Sequence, residues 1–152
     1  MIKGLILAAL GSFLLPLNFN SDYSAEMLNK TTGTLNLEIK NIKNKKGKIR
    51  ITVFDNQKDF LKKGDEIPVK VNNTGSIKVN LDDLPFGTYA ISIFHDLNNN
   101  GKLDVNFFGI PEEPYGFSNN IRPRFRAPKY NESEFTFNRE GQSVDIKLGS
   151  AF

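Results

Sequence analysis

Cysteine and tryptophan are missing from the 152 residues, and histidine occurs once. Without cysteine the chain forms no disulfide, thiolate zinc site, iron–sulfur cluster or cysteine nucleophile, and carries no lipid on an N-terminal cysteine. His95, being alone, has no second histidine with which to share a metal or a proton. No G-x-S-x-G occurs, so no nucleophile elbow is encoded. Excess charge is scarce too: 20 Lys and Arg against 17 Asp and Glu leave +3, too little for a nucleic-acid footprint. No segment carries a long period-3.6 apolar stripe, and there is no internal repeat or linker. A hydrophobic share of 39% is too high for a disordered chain, and 12 Gly with 7 Pro fall short of a low-complexity one. The length suits one domain.

What is present begins with MIKGLILAALGSFLLPL, residues 1–17. Lys3 precedes an apolar stretch from Gly4 to Leu15 that Pro16 ends, and polar residues 18–29 follow. The run is too short to cross a bilayer comfortably and has the layout of a secretory signal peptide, expected over residues 1–25. A buried N-terminal helix or an uncleaved anchor is the alternative. Ala25 is a plausible last residue, although Tyr23 stands where a small side chain is preferred. Removing 1–25 takes away Lys3 and Asp22 and leaves the charge at +3. Export without cysteine suits a bacterial periplasm or the extracellular space, so the expected location is periplasmic or secreted.

The remaining chain has period two. Leu35, Leu37 and Ile39 alternate with polar residues, as do Ile49, Ile51 and Val53, with Asn44–Gly47 as an expected hairpin turn. Ile67, Val69 and Val71, then Ile77, Val79 and Leu81, continue the pattern. Tyr89–Phe94 is apolar on both faces except at Ser92, as in a sheet centre. Phe135 with Phe137, and Val144, Ile146 and Leu148, supply the last two strands. Only residues 57–63 suggest a helical turn, with Phe60 and Leu61 capping one end of the core. The expected fold is all-β: a seven-stranded, Ig-like or prealbumin-like antiparallel β-sandwich over residues 31–149. In Leu84-Pro85-Phe86-Gly87-Thr88-Tyr89, Pro85 sets a turn and Gly87 permits a left-handed residue before the central strand. L-P-x-G-x-Y is similar to the corresponding turn of prealbumin-like sandwiches.

The sharpest local signal is His95-Asp96-Leu97-Asn98-Asn99-Asn100-Gly101-Lys102-Leu103-Asp104. Asp96, Asn98, Asn100 and Asp104 fall at positions 1, 3, 5 and 9 of a calcium loop, with Gly101 at 6 and the Lys102 carbonyl at 7. Alternate side-chain oxygens would converge on a hard cation, and Gly allows the sharp turn. Phe107 holds position 12, where an EF-hand has a bidentate Glu, so the match is to shorter loops set between strands. The expected cofactor is therefore calcium, held weakly, on the order of 10⁻⁴ to 10⁻³ M. The competing reading is a polar turn whose side chains hydrogen-bond their own backbone.

The stretch LPFGTYAISIFHDLNNNGKLDVNFFGIPEEPYGFSNN, residues 84–120, resembles the uncharacterised family DUF2141. The family's signature runs L-P-x-G-x-Y-A through H-D-x-N-x-N-G-K-L-D-x-N-x-x-G-x-P-x-E and ends in G-F-S-N. It is matched at Leu84, Pro85, Gly87, Tyr89, Ala90, His95, Asp96, Asn98, Asn100, Gly101, Asp104, Asn106, Gly109, Pro111, Glu113, Gly116, Phe117, Ser118 and Asn119. Val53-Phe54-Asp55 and Phe60 are similar as well. The resemblance implies an exported bacterial β-sandwich and brings no established activity.

Two function classes follow. One is a non-enzymatic module at the cell envelope with a calcium-organised loop. The other is an envelope-acting enzyme using His95, Asp96 and Glu113. Without a nucleophile or a second metal ligand, the first is expected, with His95 ordering the loop by hydrogen bonds. Glu112 and Glu113 would either complete the cation shell or form a solvated acidic turn. Phe107, Phe108, Tyr115 and Phe117 would either present a recognition surface for a glycan or peptide or seal one end of the sandwich. Lys43, Lys45, Lys46 and Lys48, and Arg122, Arg124, Arg126 and Lys129, would either touch anionic envelope material or lie solvated. An envelope glycan or protein is thus the expected class of partner, with no nucleic acid and no transmembrane segment in the mature chain, and the domain is expected to be a monomer.

Overall fold

The computed structural model describes residues 31–123 and 126–151. The expected signal peptide, residues 1–25, and Arg124 lie outside the described residues. Among the described residues eight strands form two sheets. The first contains β1 (Thr32–Ile42), β4 (Gly75–Pro85) and β8 (Ser143–Lys147) in the order β4-β1-β8. The second contains β2 (Lys48–Phe54), β3 (Glu66–Lys70), β5 (Gly87–Asp96) and β6 (Tyr115–Phe117) in the order β3-β2-β5-β6, while β7 (Phe135–Phe137) also pairs with β5. Since β2 takes one edge of β5, β6 and β7 share the other, β6 along Ser92–Phe94 and β7 along Gly87–Tyr89. A 3-10 turn (Ser118–Asn120) and a single helical turn, α1 (Tyr130–Ser133), lie between them in sequence.

The alternation works as period two requires. Leu35, Leu37 and Ile39 of β1, Ile49 and Ile51 of β2, Ile91 and Ile93 of β5, Phe137 and Ile146 are all buried in one core between the sheets. Burying each Leu or Ile is worth about 1.5–3 kcal/mol relative to exposure. The central strand is covered on its outer face too: Ala90 packs with Phe54, Phe60 and Tyr130 in a second small cluster. Phe60 meets Phe54 and Tyr130 edge-on, at centroid distances of 5.1 and 5.7 Å.

Several expectations need correction. There are eight strands rather than seven: β6 is three residues long and contains Gly116, too short for alternation to show. The sheets are not wholly antiparallel, because β8 runs parallel to β1. Asn44–Gly47 is no hairpin turn: β1 and β2 belong to different sheets, so this segment crosses between them. Gly87 simply begins β5, and the left-handed residue near that turn is Asp83 (φ 55°). Residues 57–63 form turns, in which the Asp59 carbonyl accepts from Lys62 and Lys63 N–H, without a helix. Phe60 caps the core there but Leu61, left-handed at φ 58°, is exposed.

Candidate functional site

The 96–113 segment is built on the C-terminal end of β5. Inward-facing Ile49 pairs with His95, and Lys48 pairs with Asp96, so His95 points to the core and Asp96 to the outer face. His95 is 1% exposed, and its Nε2 lies 2.7 Å from the Lys46 carbonyl. Its backbone N–H donates to the Pro114 carbonyl. The sheet-crossing segment therefore sits directly against the end of β5. At Gly47 (φ 71°) a Cβ would fall 1.9 Å from the Asp96 carbonyl oxygen, so only glycine fits this approach.

Asp96 is fully buried. Its Oδ1 accepts the Asn100 N–H at 3.0 Å, and its Oδ2 accepts the Gly101 N–H at 3.0 Å and Arg50 Nε at 2.5 Å. Arg50 also pairs with Glu66. The register explains this triad. Arg50 stands opposite Phe94 on one side and Pro68 on the other, so Asp96 and Glu66 are its diagonal neighbours across adjacent strands. Burial alone would push the Asp96 carboxyl up, but the Arg50 guanidinium and the Gly101 and Asn100 N–H groups hold it below the ordinary carboxylate value.

The loop then turns on its own side chains. Asn98 Oδ1 accepts the Asn100 N–H at 3.0 Å, and Asn100 Oδ1 accepts the Lys102 N–H at 2.8 Å. Both amide groups donate across the loop to Asp104, Asn98 Nδ2 to Oδ2 at 2.7 Å and Asn100 Nδ2 to Oδ1 at 2.9 Å. Asn99 (φ 61°) and Gly101 (φ 80°) supply the left-handed residues that close it. Glu113, 4% exposed, buttresses the loop from below, accepting Leu97 N–H at 2.7 Å and Asp104 N–H at 3.2 Å.

Of the expected ligands, Asp96, Asn98, Asn100 and Asp104 thus share one hydrogen-bonded loop, and Lys102 joins it through its N–H. The hydrogen bonds are those of the polar-turn reading: the amide oxygens of Asn98 and Asn100 accept backbone N–H groups, and their amide nitrogens face Asp104. Among the described residues no three His, Cys, Asp or Glu side chains are grouped so as to hold a metal. What the loop offers is amide and carboxylate oxygen, which suits a hard cation rather than a transition metal. Among the described residues no ion pair reaches Asp104 or Glu113, whereas Asp96 has spent its charge on Arg50. Glu113 does reach the loop and Glu112 stays exposed, its N–H donating to the Asp104 carbonyl. Arg50 is the residue that sequence reasoning missed: an Arg on the outward face of a strand looks solvated until the neighbouring strands are placed.

Beyond the loop, Ser118 is a tie rather than a free hydroxyl. It is fully buried, accepts the Ile91 N–H at 2.9 Å and donates to the Ser133 carbonyl. Asn119 donates to the Glu132 and Glu134 carbonyls, and Asn120 bonds Asp145 and Lys147 of β8. Gly116 admits β8 closely, since a Cβ there would lie 2.8 Å from Ile146 Cγ2 and the Lys147 carbonyl oxygen. The four aromatic residues separate: Phe117 is buried and Tyr115 half-buried, while Phe107 and Phe108 are exposed.

Fold and loop together define an all-β sandwich with an Asx-rich loop over the end of its central strand. The model of a bacterial family described as "Uncharacterized protein conserved in bacteria (DUF2141)" matches residues 37–145, and this chain belongs to that family. No curated protein and no solved structure matches it.

Proposed function

We propose that this chain is an exported, non-enzymatic β-sandwich module of the bacterial cell envelope whose 96–104 loop is organised by calcium. The observation that carries the calcium reading is the pair Asp104 and Glu113. The Glu113 carboxylate accepts the Asp104 backbone N–H, which sets the two residues side by side, and among the described residues neither carboxylate has a cationic partner. The Asn98 and Asn100 side chains converge on the Asp104 carboxylate. A divalent cation there would balance the charge of Asp104 and displace the two amide N–H donors, the Asn98 and Asn100 amides turning their oxygens inward, with the Lys102 carbonyl as a neutral ligand and Asp96 holding the loop's curl. The non-enzymatic reading is supported by the state of the alternative catalytic set. His95, Asp96 and Glu113 are all buried, and each is engaged by backbone groups.

The test is thermal unfolding in EDTA and in millimolar calcium. A ligand that binds only the folded state adds RT ln(1 + [L]/Kd), about 1.4 kcal/mol at ten times Kd, which raises Tm by a few degrees. Magnesium, which keeps its waters and demands octahedral geometry, should do less. Asp104→Ala should remove most of the shift. An unchanged wild-type Tm overturns the calcium reading.

A further inference from the structure

The hairpin that follows the loop displays apolar side chains that no other described residue covers. Phe107 is 97% exposed, Phe108 81% and Val105 51%. This is not a slack segment. Val105 bridges Pro111, Asn106 N–H donates to the Ile110 carbonyl, and Gly109 N–H donates to the Asn106 carbonyl at 2.9 Å. Phe107 and Phe108 are therefore the two corner residues of a closed β-turn. Asn106 Oδ1 locks it from within, accepting Phe108 N–H at 2.9 Å and Ile110 N–H at 3.1 Å. Gly109 (φ 75°) completes the reversal. The rings pack edge-on against each other at 5.5 Å, so they form a narrow wedge rather than a flat platform.

The end of the sandwich that carries this wedge displays exposed lysines. Lys48 pairs with Lys70 on one side and Asp96 on the other, which places two exposed lysines in one row beside the loop. Lys45 and Lys46 are exposed on the crossing segment that His95 grips, and Lys102 is exposed on the loop itself. Against these five stand Asp104, exposed Glu112, buried Glu113 and the one charge of Glu66 and Asp96 that Arg50 leaves unbalanced. The lysines are thus the exposed charge, while most of the acids are buried or paired.

We propose that the Phe107–Phe108 tip docks this protein on an anionic phospholipid surface. A convex apolar wedge at the head of a rigid turn fits the boundary between headgroups and acyl chains, and flanking lysines match anionic headgroups. A glycan would be met by an open ring face, and an apolar partner protein by a neutral rim; the tip has neither.

The chain contains no tryptophan, so Phe108→Trp creates a single reporter at the tip. Lys63→Trp, in the exposed turn beyond the opposite end of β2, is the control. Both are titrated, as full chains, with vesicles of phosphatidylcholine alone and with about 30 mol% phosphatidylglycerol. All measurements are made in EDTA, so failure of the calcium reading leaves this test intact. The expected result is a blue shift of Phe108→Trp emission on anionic vesicles, quenched by brominated acyl chains, with Lys63→Trp unmoved. In that reporter background, Phe107→Ser should weaken binding about tenfold, and Lys48→Gln with Lys70→Gln about 25-fold together. Absence of a shift, an equal shift on uncharged vesicles, or an equal response at position 63 overturns the proposal. A shift that grows with protein concentration before lipid is added assigns the tip to a second copy of the chain and overturns it as well.

Discussion

Asp96→Ala should be the most damaging single substitution in the 96–113 segment, and it should be so without calcium. The carboxylate is fully buried, accepts two backbone N–H groups and pairs with Arg50. Its removal leaves a guanidinium 15% exposed with only Glu66 as counter-charge, deprives the Gly101 N–H of its acceptor and leaves the Asn100 N–H to Asn98 Oδ1 alone. Removing one partner of a buried ion pair costs about 3–5 kcal/mol. The loop N–H groups lie near the surface and can turn to water, so they add little to that figure. For a domain of this size the change corresponds to a fall in Tm of roughly 10–20 °C. Asp104→Ala, by contrast, loses two hydrogen bonds from exposed amides and should stay within about 1 kcal/mol of wild type in EDTA. Urea unfolding in EDTA, with wild type, Asp96→Ala and Asp104→Ala side by side, separates them. If Asp96→Ala is no less stable than Asp104→Ala, the Arg50–Asp96–Glu66 triad does not hold the loop and the reasoning fails. The same pair explains why Asp104 is the better calcium probe: a shift lost in Asp96→Ala is equally the mark of a collapsed loop.

Two further outcomes follow from the same geometry. Ser118→Ala leaves the buried Ile91 N–H of the central strand without its acceptor, and should cost about 1–3 kcal/mol, read as a lower urea midpoint at unchanged slope; an unchanged midpoint would show the hydroxyl to be dispensable. Stability should also fall on acidification. Arg126, with the Lys129 N–H, holds the Glu132 carboxyl down to about 2, and Asp96 is likewise depressed. A depressed carboxyl contributes stability that is complete above its unfolded value of about 4 and lost as pH falls through the folded value. The loss should therefore run from about pH 4.5 towards 2 and be shallower in Asp96→Asn, and superimposable pH curves for that variant and wild type would contradict it.

The faces of the strands were legible because a strand's burial pattern is local. Each of Leu35, Leu37, Ile39, Ile49, Ile51, Ile91 and Ile93 is buried on the side that its alternation marks. Pairing is not local, and there the expectation failed. A crossing between sheets and a hairpin turn can share the composition of Asn44–Gly47, and nothing in residues 143–147 states that their neighbour runs parallel. The loop shows the same division. Its 1-3-5-6-9 spacing predicted a curl around Asp96 and Gly101, and the curl is there. Arg50, 46 residues upstream, neutralises Asp96 only because β2 and β5 pair in one register.

The family signature, set beside the structure, looks like a prescription for a scaffold rather than for a reaction. Tyr89 donates its hydroxyl to the Pro85 carbonyl four residues back, which clamps the entry to β5. Asp96, Gly101 and Glu113 hold the loop; Gly116, Ser118 and Asn119 lace β6 to its surroundings. Nearly every polar side chain of the motif is aimed at a backbone group, and a group so engaged is committed to shape. The same motif includes Asn106 and Gly109, which lock the tip, but leaves open the two positions between them, here Phe107 and Phe108. A turn whose frame is locked by Asn106 and Gly109 is a rigid mount for the side chains at its corners. In this chain those corners carry the two most exposed aromatic rings among the described residues, packed on each other and free to meet another surface.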